Sequence, residues 1–421
     1  MLRSAPVTNL GWAIPLSVLA ATAAAGVASA AAAFPSAPAS VCRGSEGYAA
    51  AFGGRRTFTL RPAELEAIKA SLASDPAIAK AYRALLARAD QALARKPGSV
   101  LDKSTVPLSG DRHDYMSLAP YWWPDPANPG GPYVRRDGQV NPERETGRFD
   151  RVALGRVADD TDTLGLAYYY SGDRKYADKA AALVRTWFLD PATAMNPNMT
   201  YAQAVPGRET GRAEGVLDTS GLIAMIDAVG LIGPSGALSA DEVKALETWF
   251  ARYVDWMRTS ANGKAEAAAR NNHGIWYDAQ IARFALFARR DDIARQTVTA
   301  FATARIAPQV DPSGALPHEL TRTRSFHYSI YTLDAAYHVA DSAACLGTDL
   351  YGAELQGRSL RKATAYVAAY RGRQAEWPYK EMKWPAAGLD DLLTRADAAW
   401  GPGAYPRAAA GEMVLRYRRA Q

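Results

Sequence analysis

Asp162-Thr-Leu-Gly-Leu-Ala-Tyr-Tyr-Tyr170-Ser171-Gly172-Asp173-Arg-Lys-Tyr176-Ala-Asp-Lys-Ala180-Ala-Ala-Leu183-Val184-Arg-Thr-Trp187-Phe188 is the stretch that decides the fold. Residues 162–170 read as a helix that stops at Ser171-Gly172-Asp173, a run of turn formers. From 174 to 189, Tyr176, Ala180, Leu183, Val184, Trp187 and Phe188 fall on one face of a second helix. Two helices joined by so short a link form an antiparallel hairpin. The same pairing can be drawn through 213–229 with 240–258, 274–288 with 291–304, and 328–346 with 353–370. Ser239-Ala-Asp-Glu242 is a capping-box signature, and behind it Val243, Leu246, Phe250, Tyr253, Val254 and Met257 share a face. Strand alternation is nearly absent, so the expectation is an all-α chain of stacked antiparallel helical hairpins, a single domain over 61–421.

Composition narrows the class. The chain has 421 residues, 48% apolar and 22% charged, with 21 Tyr and 10 Trp, which is a globular rather than a disordered make-up. Two Cys exclude a disulfide scaffold and a four-thiolate zinc site, and five His without HxH or HxxxH spacing give no reason to expect a metal. Asp159-Asp160-Asp162 is the sole carboxylate cluster for Ca²⁺, and it reads more simply as a helix start. Neither GxGxxG nor GxxxxGK[ST] occurs, and no cofactor is expected.

Residues 1–30 read as an export signal, with Arg3, an apolar run from about Trp12 to Val27, and Ala28-Ser29-Ala30 as the cleavage site. Residues 31–60 read as a flexible arm. A periplasmic or secreted protein follows, with no membrane association after signal cleavage, because no other segment is apolar enough to cross a bilayer. Cys42 and Cys345 could pair in an oxidising compartment, though their spacing argues neither way. The net charge of +6 becomes +5 when the signal's one Arg is removed. A mild positive excess suits an acidic polysaccharide. Nucleic acid is a poorer fit, since no basic run interleaves with aromatics.

Three irregular stretches, 105–146, 190–212 and 306–327, interrupt the helices and should gather as a cleft at one end of the stack. The first holds His113, Tyr115, Tyr121, Trp122, Trp123 and Arg135. Aromatic faces beside guanidinium groups are what a charged sugar needs. The Trp pair serves equally well as core filler. The second holds Tyr201, Gln203 and Arg212, which suit sugar hydroxyls and carboxylates or an ordinary ordered loop. Arg270-Asn271-Asn272-His273-Gly274 stands where the apolar periodicity of 275–288 begins. One Asn suffices as a cap, which leaves the other, with His273, free to hold an anion at the positive end of a helix. The third stretch runs Pro317-His-Glu319-Leu-Thr-Arg322-Thr-Arg324-Ser-Phe-His327-Tyr328-Ser-Ile-Tyr331. Tyr328 and Tyr331 share a helix face, and a guanidinium nearby should pull a phenol's pKa down.

An amide, an imidazole, guanidiniums and a phenol are the groups that abstraction of the C5 proton of a uronate requires, followed by loss of the 4-oxygen. On His113-Asp-Tyr-Met-Ser-Leu-Ala-Pro-Tyr-Trp-Trp-Pro-Asp125, Asn271-Asn-His-Gly274 and Glu319-Leu-Thr-Arg-Thr-Arg-Ser-Phe-His-Tyr-Ser329, the chain resembles the alginate lyase superfamily over about residues 60–385. The resemblance is to members that include polysaccharide lyase families 5 and 38. It implies an incomplete (α/α) toroid and β-elimination of polyuronates such as alginate or glucuronan. It also implies Asn272 and Arg322 as carboxylate neutralisers and His273 with Tyr328 as the proton-handling pair. Glu266 stands where some relatives carry an acidic site residue. Tyr331, paired with Arg324, is the alternative register for the catalytic Tyr, and His327 is an added substrate contact.

Two rivals stand beside an exported polyuronate lyase. A glycoside hydrolase would need two facing carboxylates, drawn from Asp125, Glu214, Glu266 and Glu319. A non-catalytic polysaccharide-binding protein would keep the aromatic cleft without needing Tyr328 or His273.

Overall fold

The computed structural model describes residues 41–401, 404–405 and 411–417, and burial sorts its helices into two kinds. In chain order they are α1 (Pro62–Ala70), α2 (Pro76–Ala94), α3 (Arg151–Ser171), α4 (Arg174–Val184), α5 (Leu222–Ile232), α6 (Ala240–Thr259), α7 (Ala261–Ala267), α8 (Asn272–Phe287), α9 (Asp291–Phe301), α10 (Ala307–Gln309), α11 (Pro317–Leu320), α12 (Ser325–Cys345), α13 (Leu360–Ala368) and α14 (Ala386–Trp400). In α8 every residue but His273 is buried, and in α5 every residue but Ala224. Such helices need neighbours on all sides. By contrast, α6 buries the single stripe Leu246, Trp249, Phe250, Tyr253, Val254 and Met257, and turns its charges outward.

The hairpins α3–α4, α8–α9 and α12–α13 each pair a mostly buried helix with a one-sided one, and α5–α6 repeats that sorting. The buried members pack side by side in the order α3, α5, α8, α12. An inner row backed by outer helices is the expected incomplete (α/α) toroid. At one end, β1 (Met116–Leu118) pairs in parallel with β4 (Tyr201–Ala204), and β2 (Trp122–Trp123) pairs antiparallel with β3 (Val134–Arg135). The first ladder stitches two of the irregular stretches together, and the second folds 105–146 back on itself.

Three expectations need correction. Residues 41–60 are not a loose arm, since Phe52, Phe58 and Leu60 are buried. The Asp227 carboxylate on α5 accepts the backbone N–H groups of Phe58, Thr59 and Leu60 at 2.7, 2.8 and 3.1 Å. Cys42 and Cys345 are joined in a disulfide across a Cα separation of 4.5 Å. The signal segment 1–30 and residues 31–40 lie outside the described residues. Second, α3 begins at Arg151, so Asp159, Asp160 and Asp162 are mid-helix rather than a helix start. Asp160 is held by Arg95 at 2.9 Å and Asp162 by Arg416 at 3.1 Å. Third, Ala213–Ser235 is long and apolar enough to span a membrane, with a mean hydropathy of 1.6, yet 78% of that apolar window is buried in the protein. Its hydrophobicity is that of an inner helix packed on several sides.

Candidate active site

The irregular stretches enclose a cleft of about 720 Å³ above the inner helices. Two helix N-termini supply its chemistry. Asn271 caps α8, its Oδ1 accepting the His273 backbone N–H at 3.2 Å. One Asn thus does the capping, and Asn272 is free for other work. The Asn272 backbone N–H donates to Glu319 Oε1 at 2.6 Å, and its Nδ2 donates to Glu319 Oε2 at 2.9 Å. His273 Nδ1 lies 2.7 Å from Glu266 Oε1 on α7, which leaves Nε2 as the nitrogen available to the cleft. Burial pushes the Glu266 carboxyl pKa up, against the pull of His273. Gly274 is obligatory, because a Cβ there would stand 2.2 Å from the Ala269 carbonyl oxygen. The Arg305 guanidinium ties the turn down, donating to the carbonyls of Ala267 and Ala269, both at 2.8 Å, and to Asp278 on α8 at 2.7 Å.

At the start of α12, the Arg322 guanidinium lies over the Tyr328 ring, 3.9 Å from its centroid. The Tyr328 hydroxyl shares a 2.5 Å hydrogen bond with that of Tyr121. Burial, reinforced by Tyr121, raises the Tyr328 pKa above that of a free phenol in spite of Arg322. This corrects the expectation of a lowered phenol: the guanidinium acts as foreseen, and desolvation outweighs it. Arg322 also donates to Asp137 Oδ1 at 3.1 Å, and Thr323 Oγ1 to Asp137 Oδ2 at 2.9 Å. Burial would raise Asp137, but the hydrogen bonds from Thr323 and Arg322 prevail and hold it at about 2.

Of the other expected site residues, Tyr121, Trp122, Arg135, Gln203, Arg212, Glu266, His327 and Tyr331 line the cleft with Asn272, His273, Arg322 and Tyr328. Gln203 holds φ at +50°, an uncommon value for a residue with a side chain, and its Oε1 accepts from Arg212 at 2.9 Å. His327 stacks parallel to Tyr331 with ring centroids 6.0 Å apart, and burial together with Arg324 and Arg322 lowers its pKa to about 4.

Five expected contacts stand elsewhere. Tyr115 is wholly buried and donates to Asp218 at 3.0 Å, so it is a core residue and not a sugar platform. Trp123 alternates with Trp122 across the strand and donates from Nε1 to the Gln139 carbonyl at 2.9 Å. His113 Nδ1 is 2.7 Å from the Ala194 carbonyl oxygen and pins one loop to another. Tyr201 lies on β4 outside the cleft lining, and Arg324 precedes α12 and forms a backbone bridge with Glu381.

The sequence reading passed over Asp137, Arg144, Arg151 and Asp218. Arg144 Nη2 donates to Asp218 Oδ1 at 2.8 Å, Arg151 is 3.6 Å from the same oxygen, and both arginines line the cleft. No local spacing signals this group, which is assembled from distant segments. Three of the carboxylates around the site are engaged: Glu214 with Arg212 at 3.0 Å, Glu266 with His273, and Glu319 with Asn272. That arrangement disfavours the pair of free, facing carboxyls a hydrolase uses.

A family model described as alginate lyase matches residues 99–377. Among solved structures, an alginate lyase from Bacteroides ovatus is 40% identical, with a TM-score of 0.81 over 86% of this chain and 99% of that one. Alginate lyase A1-III from Sphingomonas species A1 has the same fold at 17% identity and a TM-score of 0.55, over 85% of this chain and 95% of that one. A variant of A1-III complexed with a tetrasaccharide gives 16% identity and a TM-score of 0.56, over 85% of this chain and 94% of that one. A search of curated proteins finds no match to the chain. With the family model covering most of the toroid and a relative aligned nearly end to end, the chain belongs to the alginate lyase family and is a polysaccharide lyase.

Proposed function

We propose that the protein is an exported polyuronate lyase of the mannuronan or glucuronan type, acting by β-elimination. The observation that carries this reading is the Arg322 guanidinium seated on the Tyr328 ring, in the same cleft as the amide and imidazole at the positive end of α8. Asn272, His273 and Arg322 take up charge from the uronate carboxylate, so that the enolate-like transition state is stabilised as C5 loses its proton. The electron pair of the C5–H bond becomes the C4=C5 double bond, the C4–O4 bond breaks, and O4 leaves with a proton. Tyr328, kept protonated by burial, is the donor to O4. Where the C5 proton lies on the same ring face as O4, as in mannuronate and glucuronate, the Tyr328 oxygen takes it in the same step in which its own proton goes to O4, so the phenol ends as it began. Where it lies on the opposite face, as in guluronate, the acceptor is His273 Nε2.

Export is supported by the Cys42–Cys345 disulfide, since such bridges persist in oxidising compartments. The test is the ultraviolet absorbance of a conjugated unsaturated uronate, with polymannuronate, polyguluronate, glucuronan and pectate as substrates. A rise on polymannuronate or glucuronan is expected, and it names the substrate. A rise confined to polyguluronate would overturn the same-face assignment. New reducing ends without absorbance would mean hydrolysis and would sink the proposal.

A further inference from the structure

Glu319 lies buried beside the cleft, drawn by the charges of Arg322 and His273 but paired with neither. It is 1% exposed and, among the described residues, makes no ion pair. Its two oxygens are spent on one residue, Oε1 on the Asn272 backbone N–H at 2.6 Å and Oε2 on Asn272 Nδ2 at 2.9 Å. Burial pushes the Glu319 carboxyl pKa up, against the pull of the Asn272 N–H groups, Arg322 and His273, so the arrangement calls for a reason beyond packing.

The reason lies in the symmetry of an amide. The oxygen and nitrogen ends of Asn are nearly the same shape, and neighbours decide which way round the group sits. A carboxylate only accepts, so it selects Nδ2 as its neighbour and leaves Oδ1 without a partner, as is seen. Nδ2 has two hydrogens and Glu319 takes one, which leaves the other for the cleft that Asn272 lines. A flipped amide would offer an uronate carboxylate an oxygen instead and repel it.

We infer that Glu319 is a positioning residue for the elimination, fixing the Asn272 amide with its nitrogen toward the substrate carboxylate. The inference rests on the lyase reading above. In Glu319→Gln the new amide presents N–H to one of the two Asn272 donors, and relief comes when the Asn272 amide turns over and places Oδ1 against that N–H.

The experiment is a double-mutant cycle in kcat, with Asn272→Ala and Glu319→Gln as the single variants, alongside melting temperatures. Asn272→Ala alone should lower kcat by about 10²–10³, the loss seen for one charge-stabilising donor. Glu319→Gln should cost a similar factor in kcat with KM changed by less than about threefold. The double variant should be no slower than Asn272→Ala, because Glu319 acts only through that amide. Factors that multiply in the double variant would overturn the inference while leaving the lyase reading standing. A near-wild-type rate for Asn272→Ala would instead remove Asn272 from the lyase reading. If Glu319→Gln does not fold, Glu319→Asp closes the same cycle. Being one methylene shorter, it reaches one of the two N–H groups and should lose kcat less severely, again with no further loss when combined with Asn272→Ala.

Discussion

The two helix N-termini that face the cleft are held in different ways. That of α8 is built from its own toroid neighbours: Asn271 caps it, Arg305 fastens the turn before it, and Glu266 and Glu319 grip His273 and Asn272. That of α12 depends on a distant excursion of the chain. Tyr328 is hydrogen-bonded by Tyr121, and Arg322 by Asp137, both from the 105–146 stretch. Asn272 and His273 are therefore set within the framework. Tyr328 and the third charge-neutralising group, Arg322, are completed only when a rim loop is seated.

Tyr328→Phe should break the second half outright. Removal of one hydroxyl at constant shape is expected to abolish turnover, by about 10³-fold or more, with the melting temperature almost unchanged. If Tyr331→Phe does this and Tyr328→Phe does not, the catalytic phenol lies one helical turn further on.

Asp137→Asn sharpens the comparison, since it weakens the hold on Arg322 and Thr323 without touching α8. A loss of roughly tenfold in kcat/KM is expected, most of it in KM, as for a loosened positioning element. A loss as large as that of Tyr328→Phe would mean that Asp137 takes part in the chemistry. With its pKa depressed to about 2, Asp137 remains ionised down to the mid-acid range. Its stabilising hydrogen bonds are present above the ordinary Asp pKa and are lost only as the pH falls toward 2. The Asp137→Asn effect should therefore be constant between pH 5 and 8 in an initial-rate profile.

The smallest effect concerns His327, whose pKa falls from 6.5 to about 4 on folding. The unfolded chain then binds a proton that the folded one refuses. Stability from this group is complete above pH 6.5 and drains away as the pH drops toward 4. His327→Gln should flatten that limb of the melting-temperature curve. An unchanged slope would show that His327 titrates alike in both states.

The outer helices were legible in the sequence because their apolar stripe is one-sided: the face read for 240–258 is the buried face of α6, with Val243 at its margin. The inner helices were harder. The first half of α3 went unread because Arg156, Asp159 and Asp160 obscure its periodicity, and Arg95 and Arg416, which neutralise Asp160 and Asp162, come from far along the chain. In the site, the Asn271–Gly274 and Arg322–Tyr328 runs were legible because chemically dense residues meet a helix start. Tyr115 and Tyr121 lie six positions apart in one aromatic run, and only the paired strands decide that one enters the core and the other the cleft. Asp137 and Glu319 act through long-range partners, which no local pattern encodes.

The bridge between Cys42 and Cys345, 303 positions apart, closes a covalent circuit that contains the start of the toroid, all three irregular stretches and the whole of α8 and α12. Exposed loops such as 105–110 are where a protease cuts first. A single cut anywhere inside the circuit opens the ring without releasing a fragment. The two helix ends that form the cleft would stay on one molecule, and a nicked enzyme would separate into pieces only after reduction.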